Sequence, residues 1–371
     1  MLELTSYLYQ DHMSIAPSEL TDRIYAMLRK GERKDDLTFV EIDSSIGWSM
    51  FKLGFAESAL KCFVRGCHSI MQAKEAHGYS DEEWYPVLGL LYSRTALAYS
   101  SLGMKDRMME LADSAYSISQ RLLDISPITY NELALEILSN VINAFIASGY
   151  YDEAIAVFNI ITPTFNDYSA KFPQRHAISF GHILTNIGSI YKTKGDVEKA
   201  YRFLNDSLTQ ITNYLDAMAG NIDSNVGFGV MTYYILGEIL LSENYRQEAL
   251  QHYLASLNLA GIICPGDFSI IQFIEPLMSR LSELEDDENT KEIDSVIIDF
   301  GYTLSLALNE KRESVANSMD VDKMEKLLAA LNFSAVCINE NEREYDKRSD
   351  VIQETIQWLF DAYDNRSHIY E

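Results

Sequence analysis

Cysteine is scarce in this chain, with four residues (Cys62, Cys67, Cys264, Cys337) in a length of 371. So few do not make a disulfide framework, and reduced, buried thiols are the expectation. Positive charge is also short: 30 basic residues face 55 acidic ones, a formal charge of −25. Nucleic-acid binding draws much of its affinity from cations that neutralise phosphates, so the charge argues against a large DNA or RNA surface and leaves room only for a small local basic patch. The acidic excess leaves two readings open, simple solubility or attraction of basic partners. No uncharged apolar run reaches the roughly 18 residues of a membrane span. Met1-Leu2-Glu3-Leu4-Thr5 lacks the basic region and apolar run of a secretory signal, so a cytoplasmic protein is expected.

Strand signals are missing too. No segment keeps strong period-two alternation, and the glycines and prolines punctuate longer apolar periods instead. Catalytic signatures fail in the same way: there is no G-x-x-x-x-G-K-[ST], G-x-S-x-G or H-E-x-x-H. Cys62, Cys67 and His68 suggest metal only briefly, because the i, i+5 offset on one helix does not place both thiols on one ion. Asn221–Asn225 starts like a calcium loop, but Val226 stands where the glycine is needed and Thr232 where the closing glutamate is needed. No catalytic residue, metal ligand or cofactor is assigned, and a non-enzymatic protein is expected.

What the chain does contain is a recurring helical signature. Ile187–Ala200 reads as two antiparallel helices meeting at a turn, with Gly188, Gly195 and Ala200 wherever the two must touch. Related patterns run through Ile46, Gly47, Met50, Gly54, Ala59 and Phe63; Tyr92, Ala96, Tyr99, Gly103 and Ala112; Leu138, Phe145, Gly149, Tyr151, Ala154 and Phe158; and Tyr233, Leu236, Gly237, Leu240, Ala249 and Tyr253. Asn244 replaces the turn glycine in the last of these, and asparagine is the next-best residue for a left-handed helix cap. Turn positions 54, 103, 149, 195 and 244 are separated by 49, 46, 46 and 49 residues.

This pattern resembles the tetratricopeptide repeat in a long variant, since the usual unit has about 34 residues. The excess reads as longer helices rather than inserted domains. Pro86, Pro127 and Pro173 are expected just before helices, where proline is tolerated in a first turn, and Pro265 extends the spacing to a sixth hairpin. That sixth unit is degenerate: one helix through Ile270–Leu281 kinked at Pro276, a turn at Glu285–Asn289, and a second helix through Ile293–Leu304. Two further helices, Met324–Ala335 and Ile352–Tyr363, keep the period but lose the glycine-alanine signature. The expected organisation is an N-terminal helical cap over 1–35, five long repeats over 36–265, and degenerate repeats or a helical cap over 266–371.

The resemblance implies an all-α, right-handed superhelical solenoid of antiparallel helix pairs whose first helices line a concave groove. Counting from the signature places Ser93, Arg94, Leu97 and Ser100 there, then Glu136, Ser139, Asn140 and Asn143. His182, Thr185, Asn186, Ser189 and Lys192 follow, with Tyr234, Glu238 and Leu241. Asn140, Asn143 and Asn186 carry both a donor and an acceptor, as an extended peptide backbone requires, and the family commonly uses groove asparagines in this way. The alternative is that they bond each other or water between helices. Arg94 and Lys192 are candidates for a ligand carboxylate.

The function expected from the resemblance is peptide or protein-segment binding by a regulatory or signalling adaptor. In layout the chain is also similar to bacterial peptide-pheromone receptors, which implies as an alternative a peptide-responsive regulator acting on a response regulator. A third reading is the sensor portion of a larger signalling protein. The DNA-acting version is expected to need more room than residues 1–35 give, and no nucleic-acid or membrane partner is assigned. The C-terminal helices offer a homodimer contact.

Overall fold

The computed structural model describes residues 36–52, 55–171, 177–217, 224–264, 268–286, 288–319, 321–340 and 347–367. Every regular element among them is helical. The cap expected over 1–35, Gly54, Pro173, Pro265 and the start of the Asn221–Asn225 loop lie outside the described residues. The chain divides into two compact units, Met1–Pro173 and Gln174–Glu371, with the division falling between the third and fourth expected repeats.

The first unit contains α1 (Asp36–Lys52), α2 (Ala56–His77), α3 (Asp81–Ser101), α4 (Lys105–Ile125), α5 (Pro127–Ser148) and α6 (Tyr151–Lys171). They form the consecutive hairpins α1/α2, α3/α4 and α5/α6, and the first helices pack side by side, α1 on α3 and α3 on α5. The second unit opens with α7 (Ala177–Thr193) and α8 (Val197–Ala217), then α9 (Phe228–Ser242) and α10 (Arg246–Ile263). It continues with α11 (Ile274–Leu284), α12 (Thr290–Glu310), the short α13 (Arg312–Ser318), α14 (Val321–Glu340) and α15 (Lys347–Ser367). One apolar core runs through it from Val226 to Leu359.

One turn closes four of these hairpins. Met104, Tyr150, Asp196 and Tyr245 N–H donate to Tyr99, Phe145, Tyr191 and Leu240 O, each at 2.9 Å. Gly103, Gly149, Gly195 and Asn244 N–H donate to the carbonyls three residues back at 3.0–3.1 Å. Together these are the two bonds of a Schellman cap, which needs a left-handed residue just past the helix. The φ values of +71°, +83°, +79° and +65° supply it, and Asn244 is the one non-glycine with positive φ among the described residues. Phe55 N–H makes the longer bond to Met50 O at 2.9 Å, so the α1/α2 turn shares that part of the pattern. Helices of these hairpins run 15–22 residues, so the excess over the family's usual unit does sit in helix length.

Close approach occurs where the small residues predict it. A Cβ on Gly188 would lie 2.7 Å from Leu204 Cγ and 3.3 Å from Ala200 O. The glycine therefore sets the α7–α8 spacing, and Ala200 and Leu204 are both fully buried.

Three local expectations are corrected. Pro86 lies inside α3 rather than before it, because the helix begins earlier at a capping box in which Glu83 Oε2 accepts Ser80 N–H at 2.9 Å. The missing Pro86 N–H would have donated to Glu82 O; Tyr130 Oη donates there instead, at 3.3 Å. Pro276 does not kink a continuous helix: a 3-10 turn over Phe268–Phe273 precedes it, and Pro276 stands in the first turn of α11. The C-terminal region keeps one small-residue contact, with Gly301 of α12 pressed on Ser334 of α14, whose Oγ donates to Ile297 O at 3.0 Å. The turn expected near Glu285–Asn289 is present. It is organised as well as acidic, since buried Asn289 donates to Leu284 O and accepts from Asp286 N–H.

Candidate functional site

The first helices of the first unit bring four residues together. Arg94 of α3 donates from Nη1 to Ser44 Oγ of α1 and from Nη2 to Glu136 Oε1 of α5, both at 2.9 Å. Its guanidinium carbon lies 4.8 Å from the centre of the Trp48 ring, also on α1, a cation–π geometry. Burial pulls Arg94 below its usual range, and the Glu136 charge and hydrogen bond oppose that shift. Arg94 thus already holds a carboxylate, from its own chain.

Asn140 of α5 is buried, and its Nδ2 donates to Ser93 Oγ at 3.2 Å, so the amide serves the α3–α5 contact. Ser100 makes a similar contact, donating to Ala144 O at 3.1 Å and accepting from Ser148 Oγ at 3.0 Å. Asn143 is half-buried on the same helix.

In the second unit Asn186, Ser189 and Lys192 are half-buried at a spacing of three along α7. Thr185 beside them is fully buried in a hydroxyl cluster, 2.8 Å from Ser207 Oγ of α8 and 2.6 Å from Thr232 Oγ1 of α9. Glu238 of α9 accepts from Tyr253 Oη at 2.7 Å and from Arg280 Nε and Nη2 at 2.7 and 3.2 Å. Burial alone would push the Glu238 carboxyl up. The bonds from Arg280 and Tyr253, with the Lys192 charge, outweigh it and hold the group below its ordinary value. Tyr253 moves upward through burial and its bond to Glu238.

Among the sequence candidates, a first group of Arg94, Asn140 and Glu238 bonds named side chains of the protein itself. Asn143 is half-buried on α5, and Asn186, Ser189 and Lys192 are half-buried on α7. Sequence reading missed the partners that shape the first group, Ser44 and Trp48 under Arg94 and Arg280 on Glu238. Ser44 stands 50 residues before Arg94, about one repeat, so register counting contained that signal. Arg280 lies in the degenerate region and had none.

No three His, Cys, Asp or Glu gather to hold a metal ion among the described residues. Cys62 is buried, and the Cys67 thiol, 3.9 Å from Thr95 Oγ1, is pushed up to about 11 by burial. No helix among the described residues is long and apolar enough to cross a membrane.

Residues 181–211 match the tetratricopeptide-repeat model, a span that covers the α7/α8 hairpin. No curated protein sequence matches the chain. Among solved structures, the apo form of RapI is 12% identical with a TM-score of 0.43, over 86% of this chain and 98% of that one. The apo quorum sensor NprR from B. thuringiensis is 16% identical with a TM-score of 0.44, over 97% and 86%. The Rap conjugation gene regulator of the plasmid pLS20, in complex with the Phr* peptide, is 15% identical with a TM-score of 0.44, over 97% and 96%. Likenesses this distant carry no residue or activity across. The tetratricopeptide match thus covers the α7/α8 hairpin, and the Schellman turn that closes this hairpin recurs at three others, which makes the chain a protein of helical hairpins.

Proposed function

We propose that this protein is a non-catalytic regulatory scaffold that binds a peptide or an extended protein segment on the first helices of one of its two units. The observation that carries the reading is the row of half-buried polar side chains on those helices: Asn143 on α5, and Asn186, Ser189 and Lys192 at a spacing of three on α7. Asparagine is a modest helix former, so helix propensity gives no reason to place it there. Its amide matches the donor and acceptor of a peptide unit. Half-burial lowers the competition from water for a polar contact made there.

An array of immobilised random-sequence peptides, probed with wild type, Asn143→Ala and Asn186→Ala, tests this. Wild type is expected to retain a subset of spots that one of the variants loses in part. Retention of no spot by wild type, or of an unchanged set by both variants, overturns the proposal.

A further inference from the structure

Arg94 is almost buried, with 11% of its side chain exposed, yet its hydrogen bonding is incomplete. A guanidinium presents five N–H donors in a planar fork, and its Nε/Nη2 edge matches the two oxygens of a carboxylate. Nη1 is taken by Ser44 and Nη2 by one oxygen of Glu136, while Nε is buried without a hydrogen-bond partner among the described residues. Two other arginines show the completed arrangement. Arg280 closes Nε and Nη2 on both oxygens of Glu238, and Arg65 closes both on Asp43 Oδ1, at 2.9 and 2.7 Å.

The group that half-fills the Arg94 edge is loosely held. Glu136 is 47% exposed, and Arg94 is its one hydrogen-bond partner among the described residues. Behind the guanidinium, the Trp48 ring and Ser44 fix its plane and one end. The receiving side is thus prepared, and an exposed carboxylate that can swing away occupies it.

Resting on the peptide-binding reading above, we propose that Arg94 is a receptor for a peptide carboxylate, kept closed by Glu136 until the ligand displaces it. The incoming group takes both Nε–H and Nη2–H side-on, satisfying the donor that Glu136 leaves unmet. Glu136 returns to water, where its charge costs little. A planar carboxylate fits an in-plane edge backed by a ring, and the positive charge of Arg94 selects an anion on a chain that is otherwise strongly acidic. The carboxylate comes from a peptide C-terminus or from an Asp or Glu side chain.

Affinity-selection mass spectrometry on the full chain separates these sources. Three N-acetylated random hexapeptide pools are offered: free C-terminus without Asp or Glu, C-terminal amide without Asp or Glu, and C-terminal amide with Asp and Glu. Wild type is expected to retain one of the carboxylate-bearing pools about tenfold better than the neutral pool, and Arg94→Lys to lose that preference. Arg94→Lys also loosens the packing on Trp48, so Glu136→Gln, a change at an exposed side chain, carries the test independently. It weakens the closing bond and should raise retention of the carboxylate pool about fivefold. Equal retention of all three pools, or an unchanged preference in both variants, overturns the carboxylate receptor and leaves peptide binding standing. Retention of no pool overturns both.

Discussion

Arg280 grips Glu238 along the full edge of its guanidinium, Nε to Oε1 at 2.7 Å and Nη2 to Oε2 at 3.2 Å. The pair joins α9 to α11, and Tyr253 of α10 adds a third donor to the same carboxylate. Because the folded carboxyl lies below its ordinary 4.5, the pair contributes its full stability above that pH. It loses the contribution as pH falls from there through the folded value. Glu238→Gln should therefore lower stability at pH 7 by about 1–2 kcal/mol. The gap to wild type should close on acidification below 4.5. Urea melts across that range check it, and a pH-independent gap would mean the carboxylate charge is not what matters.

The α7–α8 spacing gives a steric prediction. Gly188→Val puts methyl groups where even a Cβ would stand 2.7 Å from Leu204 Cγ. Overpacking of this kind costs about 1–3 kcal/mol. An unchanged urea midpoint for Gly188→Val would show that the helices are farther apart than the packing requires.

Asn244 tests the turn. It holds φ +65° with no help from glycine, where an alanine pays about 1–2 kcal/mol for the left-handed region. Asn244→Ala should lose about 1 kcal/mol relative to wild type, and Asn244→Gly should lose nothing. Thermal melts of the two variants side by side decide the point, and equal losses would contradict a left-handed cap.

Thiol chemistry reports on the interior. The thiolate is the nucleophile, and burial pushes Cys67 up to about 11 and Cys264 up to about 12. At pH 8 both should alkylate with iodoacetamide much more slowly in the folded chain than in urea. Peptide mass mapping of the labelled sites gives the rates, and rapid native labelling of Cys264 would refute its burial.

The fold was legible because the repeat writes itself in residue types that answer to backbone geometry. Gly103, Gly149, Gly195 and Asn244 occupy the left-handed turn positions of four hairpins, and Gly188 stands where α7 meets α8. Pro86 was misplaced because a proline six residues into a helix reads the same as one before it. Only the tertiary bond from Tyr130 shows where the orphaned Glu82 carbonyl goes. The site was harder to read for a related reason. Counting puts Asn140 and Asn143 on one helix, but it does not show that Asn140 is buried against Ser93 of the neighbouring hairpin while Asn143 is half-buried. Arg280, which fixes Glu238, sits in a stretch where the signature has faded. Periodicity locates helices and turns; it does not say which polar side chains the protein uses on itself.

The most direct measurement of the central claim is photo-crosslinking of an array-retained peptide carrying a photoreactive residue, followed by mass spectrometric mapping. The account predicts adducts on a first helix, either α5 near Asn143 or α7 near Asn186 and Lys192. Adducts confined to the second helices α4, α6, α8 and α10 would contradict it.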